Sequence, residues 1–325
     1  MKKIRIVLWL IALTLSNNLF AQQESQSKYV KIDNLEIPSV SPDEKVIRHT
    51  GYSLIFNGTY KEANWVAYEL TKEETTKLYE RNNKFVTDPM VKTGTATDKD
   101  YAGSGYDKGH LAPAADMEWS ATAMDESFYY SNMSPQVPGF NRGIWKKLEE
   151  LVRSWAIEYN SVYIVTGPVL TKGLPSIGPD NVAVPRYFYK VILNYTETDM
   201  KGIGFIIPNA SSGELLQKFS VTIDSVEKFT GIDFFPLLPD IEEKAIESTV
   251  DINSWDWGNS KSSAENKKIS NSHKSKKDQS NTNSISQNTE RRSSPVQCSG
   301  ISKSGERCRR MTNSPNGLCY QHGGD

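Results

Sequence analysis

The chain has 325 residues, of which 37% are hydrophobic and 10% aromatic, enough for one sizeable core and a small additional segment. Its net charge of -1 conceals an asymmetry, because residues 22–258 carry a net charge of -11 and residues 259–325 a net charge of +7. The sequence shows no repeat of fixed period, which excludes a solenoid or another repeat architecture.

The first 21 residues are typical of a targeting segment. Lys2, Lys3 and Arg5 precede an apolar run, and Ala21 ends a stretch suited to cleavage. This pattern predicts a secretory signal, export to the periplasm or the medium, and no membrane attachment once the signal is removed. An N-terminal membrane anchor is the alternative, although the apolar run is shorter than the roughly 20 residues that span a bilayer.

Residues 22–45 are polar and contain proline, and they lead into a folded domain predicted over residues 46–258. Alternating β-branched and aromatic residues predict five strands, at residues 52–57, 65–70, 161–169, 187–195 and 202–208. Helices are predicted over residues 71–80 and over residues 221–232, the second closed by Gly231. Because strands and helices do not alternate regularly, the predicted class is α+β, with a mainly antiparallel sheet and flanking helices.

A longer helix is predicted from Asn141 onward, after a loop rich in proline and glycine. Its buried stripe is predicted from apolar residues at helical spacing, namely Ile144, Leu148, Leu151, Val152 and Trp155. A neighbouring face carries residues at every fourth position, namely Asn141, Trp145, Glu149 and Arg153. An amide, a carboxylate and a guanidinium group therefore project along one side of the helix. On pattern alone, an ordinary solvated face would look the same.

Residues 259–297 consist mainly of Ser, Asn and Lys, with almost no apolar side chains. Such a segment cannot bury enough surface to offset the entropy of ordering it, so a disordered linker is predicted. The positive charge of residues 259–325 has two interpretations: a tether for a polyanion that the acidic domain repels at long range, or a solvated spacer.

All three cysteines lie in the segment 298–325, at Cys298, Cys308 and Cys319, followed by His322. Three thiolates and one imidazole complete a tetrahedral Zn²⁺ site, whereas a disulfide would leave one thiol unpaired. The Cys-x-x-His spacing favours a small structural zinc segment, with one disulfide plus a free thiol as the alternative.

Three blocks with chemically distinctive residues follow one another along the domain. Residues 107–113 read Asp-Lys-Gly-His-Leu-Ala-Pro, residues 131–136 read Ser-Asn-Met-Ser-Pro-Gln, and residues 141–149 read Asn-Arg-Gly-Ile-Trp-Lys-Lys-Leu-Glu. These blocks resemble the DNA/RNA non-specific endonuclease family, secreted nucleases whose signature is Asp-Arg-Gly-His followed by Leu or Gln, Ala and Pro. The resemblance covers roughly residues 46–240 and implies a ββα-metal active site.

The resemblance implies roles in the hydrolysis of phosphodiester bonds of DNA and RNA. His110 would be the general base, since a histidine with an ordinary pKa near 6.5 can be neutral and take a proton from water. Asn141 would be the direct protein ligand of Mg²⁺, with Mn²⁺ as the alternative ion, and Glu149 would hold the metal-bound waters. Asn132 matches a family position that supports the site. Gly109 is expected to let the backbone pass close to the substrate.

Three cations are matched to phosphate-binding positions of the family, namely Arg81, Lys108 and Arg153. Lys108 replaces the usual arginine of the signature and so lacks the planar fork that binds two oxygens at once. An alternative hypothesis follows from this departure: a catalytically weakened nucleic-acid-binding or surface-adhesion module that acts through its basic, zinc-binding tail. The sequence does not indicate an oligomeric state.

Overall fold

The computed structural model describes residues 31–196, 199–258, 296–297, 299 and 311–312. Its strands are β1 (Ile47–Arg48), β2 (Ser53–Asn57), β3 (Glu62–Thr71), β4 (Asp107–His110), β5 (Met133–Gln136), β6 (Ser161–Pro168), β7 (Ser176–Ile177), β8 (Val182–Ala183), β9 (Tyr187–Tyr195), β10 (Met200–Pro208), β11 (Ser220–Val221), β12 (Val296–Gln297) and β13 (Met311–Thr312). Its helices are α1 (Asp98–Tyr101), α2 (Ala121–Ser127), a π-helix (Phe140–Trp145), α3 (Lys146–Tyr159), α4 (Ile223–Thr230) and α5 (Asp240–Glu247).

Seven strands form one antiparallel sheet in the order β1-β2-β3-β6-β9-β10-β11. Strands β4 and β5 form a separate antiparallel pair, and β7 pairs with β8. All five predicted strands are present, and β9 has the predicted limits. The predicted α+β class with a mainly antiparallel sheet is confirmed.

The large sheet is covered by apolar side chains on both faces. Ile164 and Ile192 on one face pack with Leu148 and Trp155 of α3. The opposite face packs in a second cluster, which includes Ile223 of α4 and other residues of α4 and α5. The sheet therefore separates α3, and the elements around it, from α4 and α5.

Two of the three predicted helices are present, namely α3 and α4. Thr222 caps the start of α4, where its hydroxyl accepts a hydrogen bond from the Ser225 amide, and Gly231 ends it at a φ of 76°. The prediction of a helix over residues 71–80 is wrong, because only Glu73–Thr75 form a 3₁₀ turn. Beyond that turn, the amides of Leu78 and Tyr79 donate to the Glu118 carbonyl instead of to a preceding turn, so tertiary hydrogen bonds replace helical ones.

The helix predicted from Asn141 onward begins with a π-helical turn, which the sequence pattern did not indicate. Gly143 inside this turn has a φ of -108° and a ψ of -109°, outside the helical region. The irregularity lies between Asn141 and Trp145, so Asn141 is out of helical phase with Glu149. Trp145 has helical dihedral angles and joins the buried stripe of Leu148 and Trp155, where its ring packs against Phe140 and Phe188. The regular spacing from Asn141 to Glu149 therefore does not define one continuous face.

The remaining described residues belong to a second unit. There β12 pairs with β13 in antiparallel register. The last two residues of the predicted linker, Val296 and Gln297, thus belong to a strand, which corrects its C-terminal limit. The predicted targeting segment 1–21, the rest of the predicted linker, Cys298, Cys308, Cys319 and His322 lie outside the described residues. Over the described ranges, no helix combines the length and the apolar character needed to cross a bilayer.

Trp155 anchors α3 to the sheet and to the segment that follows α5. Its ring is fully buried and lies 4.4 Å from the Trp255 ring. We expect Trp155→Ala to lower the free energy of unfolding by about 3–5 kcal/mol, because it removes a large buried side chain and leaves a cavity. Urea denaturation measures the change. Ile157→Ala on the same helix, where the side chain is exposed, is the matched control and should change the value by less than about 0.5 kcal/mol. Equal losses in both variants would contradict this assignment.

Candidate active site

The β4–β5 pair sets the directions in which the signature residues point. His110 lies opposite Met133, and Asp107 lies opposite Gln136. Because side chains alternate along a strand, Lys108 and His110 lie on one face of β4 and Asp107 on the other. The Phe85 ring marks the first face, since it lies 6.0 Å from the His110 ring and 4.2 Å from Lys108 Nζ.

His110 is buried among aromatic rings. Only 7% of its surface is exposed, and the Phe128 ring meets it edge-on at 5.0 Å. Its Nε2 atom has no hydrogen-bond partner in the described part of the chain. Burial, and secondarily the positive charge of Arg81, lower the pKa of His110 to about 3. The imidazole is therefore neutral at neutral pH, with a nitrogen that is not engaged by protein groups.

Gly109 packs against the strand paired with β4, and its expected close approach to substrate stays a prediction. A Cβ atom at this position would lie 2.1 Å from the side chain of Gln136 on the paired strand. That distance is far below van der Waals contact, and Gln136 is fully buried. The absence of a side chain at position 109 therefore leaves room for the Gln136 side chain where β4 pairs with β5.

Asp107 ties β4 to the π-helical turn. Its carboxylate accepts a hydrogen bond of 2.9 Å from Asn141 Nδ2 and two more, of 2.8 Å and 2.6 Å, from Arg142. Because the amide nitrogen of Asn141 is held in this way, its side-chain oxygen remains available as an acceptor or a metal ligand. Asn141 is half-buried, so this oxygen is not sealed in the core.

Lys108 is held by an ion pair with Asp98, which also accepts a hydrogen bond of 2.6 Å from the Tyr130 hydroxyl. The hydrogen bond from Lys108 is the main reason that the pKa of Asp98 is lowered. Lys108 and Asp98 line an open cleft of about 540 Å³, together with Asn141, Arg142 and Arg81. Three cationic side chains and the amide of Asn141 thus face one cleft.

Glu149 lies within a group of buried charges. Burial raises its pKa, and the nearby Asp116 carboxylate acts in the same direction, while Lys190 and Arg153 act against it. Arg153 donates a hydrogen bond of 2.7 Å to Asp116, which also accepts one of 2.7 Å from the Tyr68 hydroxyl. The Arg153 guanidinium predicted to bind phosphate is therefore already paired with a buried carboxylate through one of its nitrogens.

Lys190 on β9 is the least expected member of this group. It is 1% exposed, its Nζ lies 4.9 Å from the centre of the Trp145 ring, and it has no hydrogen-bond partner among the described residues. Burial lowers its pKa, and the charge of Glu149 opposes that shift. A cation placed under the site helix thus balances part of the negative charge of Glu149 and Asp116.

Asn132 and Arg81 occupy different surroundings. Asn132 is fully buried, and its side chain accepts from the Ala112 amide and donates to the carbonyls of Ala112 and Ser127. It joins the segment after β4 to the end of α2. Arg81 is exposed, with its guanidinium 5.0 Å from the centre of the Phe128 ring and its Nε bonded to Asn83.

Sequence reasoning assigned no role to three groups of this site, namely Asp107, Asp116 and Lys190. Asp107 opens the signature block, and Asp116 follows that block closely, so their positions were a usable signal. Lys190 lies about 40 residues beyond Glu149, in a strand that is otherwise apolar or aromatic except for Asn194. A lysine in the middle of a buried strand pattern is the only sequence feature that could have marked it.

Two named nucleases are similar to this protein over a large part of the chain. Mouse "Nuclease EXOG, mitochondrial" is 32% identical over 241 residues, which are 69% of this chain and 65% of the mouse protein. Human "Endonuclease G, mitochondrial" is 37% identical over 200 residues, 57% of this chain and 67% of the human protein. The chain thus spans about two thirds of the length of these relatives.

The mitochondrial names of these relatives contradict the predicted export to the periplasm or the medium. A basic N-terminus followed by apolar residues is a weak guide to destination, because targeting segments of different compartments share positive charge and low acidity. The predicted zinc site at Cys298, Cys308, Cys319 and His322 stays a prediction.

The structural comparison agrees with the sequence comparison. A chain in the crystal structure of the EndoG/EndoGI complex, which concerns the mechanism of EndoG inhibition, matches with a TM-score of 0.57 and 32% identity. The match covers 62% of this chain and 89% of that one. Residues 34–241 also match the family profile described as DNA/RNA non-specific endonuclease. Since this range is well over half of the sequence, the chain belongs to the DNA/RNA non-specific endonuclease family, and the prediction of a nuclease-family enzyme is confirmed.

Proposed function

We propose that this protein is a Mg²⁺-dependent endonuclease that hydrolyses phosphodiester bonds of DNA and RNA with little sequence preference. The observation that carries the proposal is the buried, neutral imidazole of His110, which shares one strand with the aspartate that holds Asn141. The cations of the neighbouring cleft favour contacts with phosphate, and such contacts carry no sequence information directly.

His110 is proposed as the general base. Its Nε2 atom has no protein partner in the described chain, and the ring stays neutral at the pH of the reaction, so this nitrogen can accept a proton from the attacking water. The Phe85 and Phe128 rings fix the imidazole and exclude water from its flanks. Asn132 supports this role indirectly, because its three hydrogen bonds hold the segment that follows β4.

Asn141 and Glu149 are proposed to hold the metal ion. The residues fit Mg²⁺, because Asp107 binds the amide nitrogen of Asn141 and leaves an oxygen, the donor that Mg²⁺ prefers. Glu149 would accept hydrogen bonds from water bound to the ion. When bound, the ion supplies charge neutralisation at the phosphate and an acidic water for the leaving oxygen.

Three cations are proposed to position the substrate. Arg81 is exposed at the cleft and free to meet phosphate oxygens with its terminal nitrogens. Lys108 supplies charge without a fork, and its ion pair with Asp98 must compete with phosphate. Arg153 is held by Asp116, so its contribution is an oriented guanidinium rather than a mobile one.

Replacement of the proposed base tests the mechanism directly. We expect His110→Ala to reduce the rate of plasmid DNA and RNA cleavage in Mg²⁺ by about 10²–10⁴-fold, the usual contribution of a positioned general base. The far-ultraviolet circular dichroism of the variant should match that of the parent, which separates lost chemistry from lost folding. A variant that cleaves both substrates as fast as the parent would exclude His110 as the base.

The support of Asn141 by Asp107 predicts a change in metal dependence. In Asp107→Ala, we expect the Mg²⁺ concentration for half-maximal cleavage to rise about 10–100-fold, because the amide of Asn141 loses the acceptor that orients it. Arg142→Ala is the matched control. It removes the exposed ion pair and keeps the bond from Asn141 to Asp107, so the midpoint should move by less than about fivefold. If the Mg²⁺ midpoint rises equally in both variants, the cause is the altered charge of the cleft and not the orientation of Asn141.

Burial of neutral His110 also predicts an acid sensitivity of the fold. The folded-state pKa lies near 3 and the unfolded-state pKa near 6.5, so the unfolded chain binds the extra proton as the pH falls between these values. Between pH 7 and pH 4.5 this group alone should lower the free energy of unfolding by about 2–3 kcal/mol. Urea denaturation at pH 7 and pH 4.5 measures the loss of unfolding free energy in the parent and in His110→Gln. The loss should be smaller in His110→Gln by about 2–3 kcal/mol, because the variant lacks the titrating imidazole. If the two proteins lose the same stability, the imidazole is not buried neutral.

A further inference from the structure

On the face of the sheet opposite to α3, two short helices are packed tightly onto one strand. A Cβ atom at Gly202 of β10 would lie 2.5 Å from Ile223 Cδ1 of α4 and 2.9 Å from Ile246 Cγ2 of α5. Only a residue without a side chain allows both isoleucines to approach the strand so closely. Apolar packing therefore fixes the position of the two helices relative to each other.

This packing forces three carboxylates together. Asp224 and Glu227 belong to α4, and Glu247 is the last residue of α5. One carboxylate oxygen of each lies within 4.8 Å of the other two. The residues next to Ile223 and Ile246 in sequence, Asp224 and Glu247, are thus drawn into proximity by the isoleucines rather than by any attraction of their own.

Glu247 is the member that points to a missing partner. It is 5% exposed, and its Oε1 atom has no hydrogen-bond partner within the residues that the structure describes. Its position at the C-terminal end of α5 is also unfavourable for a negative charge, because the helix dipole places partial negative charge there. A buried, unpaired carboxylate at such a position costs free energy unless a cation or a proton compensates it.

The surroundings contain no such compensation from side chains. Two more carboxylates, Asp233 and Glu243, lie near Glu227 and Glu247. Among the described residues, no lysine, arginine or histidine forms an ion pair with any of these five acidic groups. Burial first, and then the charges of Glu227 and Glu243, raise the pKa of Glu247 to about 9.

We propose that Asp224, Glu227 and Glu247 bind a divalent cation with oxygen ligands, namely Ca²⁺, which joins α4 to α5. The chemistry of the ligands favours this ion. Ca²⁺ takes six to eight oxygen ligands at about 2.3–2.6 Å in a flexible geometry, whereas Mg²⁺ requires a near-ideal octahedron at about 2.0–2.1 Å and keeps several waters. Three carboxylates that each bring one oxygen within 4.8 Å of the others suit the wider and more flexible shell of Ca²⁺.

This site is distinct from the proposed catalytic centre. Asn141 and α3 lie on the side of the sheet covered by the first apolar cluster, and α4 and α5 pack in the second. Glu247 also lies beyond residues 34–241, the range that matches the family. The proposed role of the ion is therefore to stabilise the fold, and binding can be measured without any assay of cleavage.

Thermal unfolding of the full chain, after removal of metals by a chelator, tests the proposal with Ca²⁺ alone as the probe. At a Ca²⁺ concentration of about 100 times Kd, the unfolding temperature of the parent should rise by about 5–10 °C. Glu247→Gln should lose this rise. Without Ca²⁺, the Glu247→Gln variant should be at least as stable as the parent near pH 8. The substitution removes a buried carboxyl group whose negative charge is unfavourable without a cation.

Three further variants make the result specific. Asp224→Asn changes an exposed side chain, so it should fold normally and still lose most of the Ca²⁺ effect. Glu73→Gln removes an exposed carboxylate elsewhere and should keep the full effect, as should Asn141→Ala, in which the proposed catalytic ligand is absent. The proposal is overturned if Ca²⁺ fails to stabilise the parent, if Asn141→Ala abolishes the effect, or if Glu247→Gln and Asp224→Asn respond like the parent. A larger rise with Mg²⁺ than with Ca²⁺ would overturn the choice of ion.

Discussion

The arrangement of the candidate active site depends on one carboxylate. Asp107 at the start of β4 accepts hydrogen bonds from Asn141 and Arg142 in the π-helical turn, and so joins the strand that carries His110 to the helix that carries Glu149. Without this link, the side chain of Asn141 would have no fixed direction. The proposed metal site thus begins with an interaction between two protein side chains.

Electrostatic balance below the site helix is the second constraint. Two acidic groups, Glu149 and Asp116, lie beside two basic groups, Arg153 and Lys190. Asp116 and Lys190 are buried, whereas Glu149 and Arg153 are half-buried. Such a group is costly to bury but holds its members in one geometry, because breaking any pair leaves an uncompensated charge. Asp116 accepts a 2.7 Å hydrogen bond from Arg153 and another from the Tyr68 hydroxyl. These bonds fix the positions of Asp116 and Arg153 beside Glu149.

The large sheet carries different kinds of chemistry on its two faces. On one face, the amide of Asn141 and the cations Arg81, Lys108 and Arg142 line an open cleft, which suits a polyanion. On the other, α4 and α5 bring together carboxylates with no cationic partner in the described ranges, which suits a cation. Gly202 and Gly109 show the same physical device at these two places: each removes a side chain so that neighbouring groups can approach at distances that a Cβ atom would forbid.

The amino-acid sequence by itself determined the five longer strands of the large sheet, the helix ended by Gly231 and the buried stripe of the site helix, since these follow from local periodicity and capping. Its spaced motifs also identified the family. Only the tertiary structure decided the rest. Residues 71–80 do not form a helix, because the amides of Leu78 and Tyr79 donate to the Glu118 carbonyl, and the π-helical turn shifts the helical phase between Asn141 and Glu149. The roles of Asp107, Asp116 and Lys190, and the convergence of Asp224 with Glu247, arise from contacts between residues distant in sequence. Local patterns carry no information about such contacts, because packing between elements determines which side chains meet.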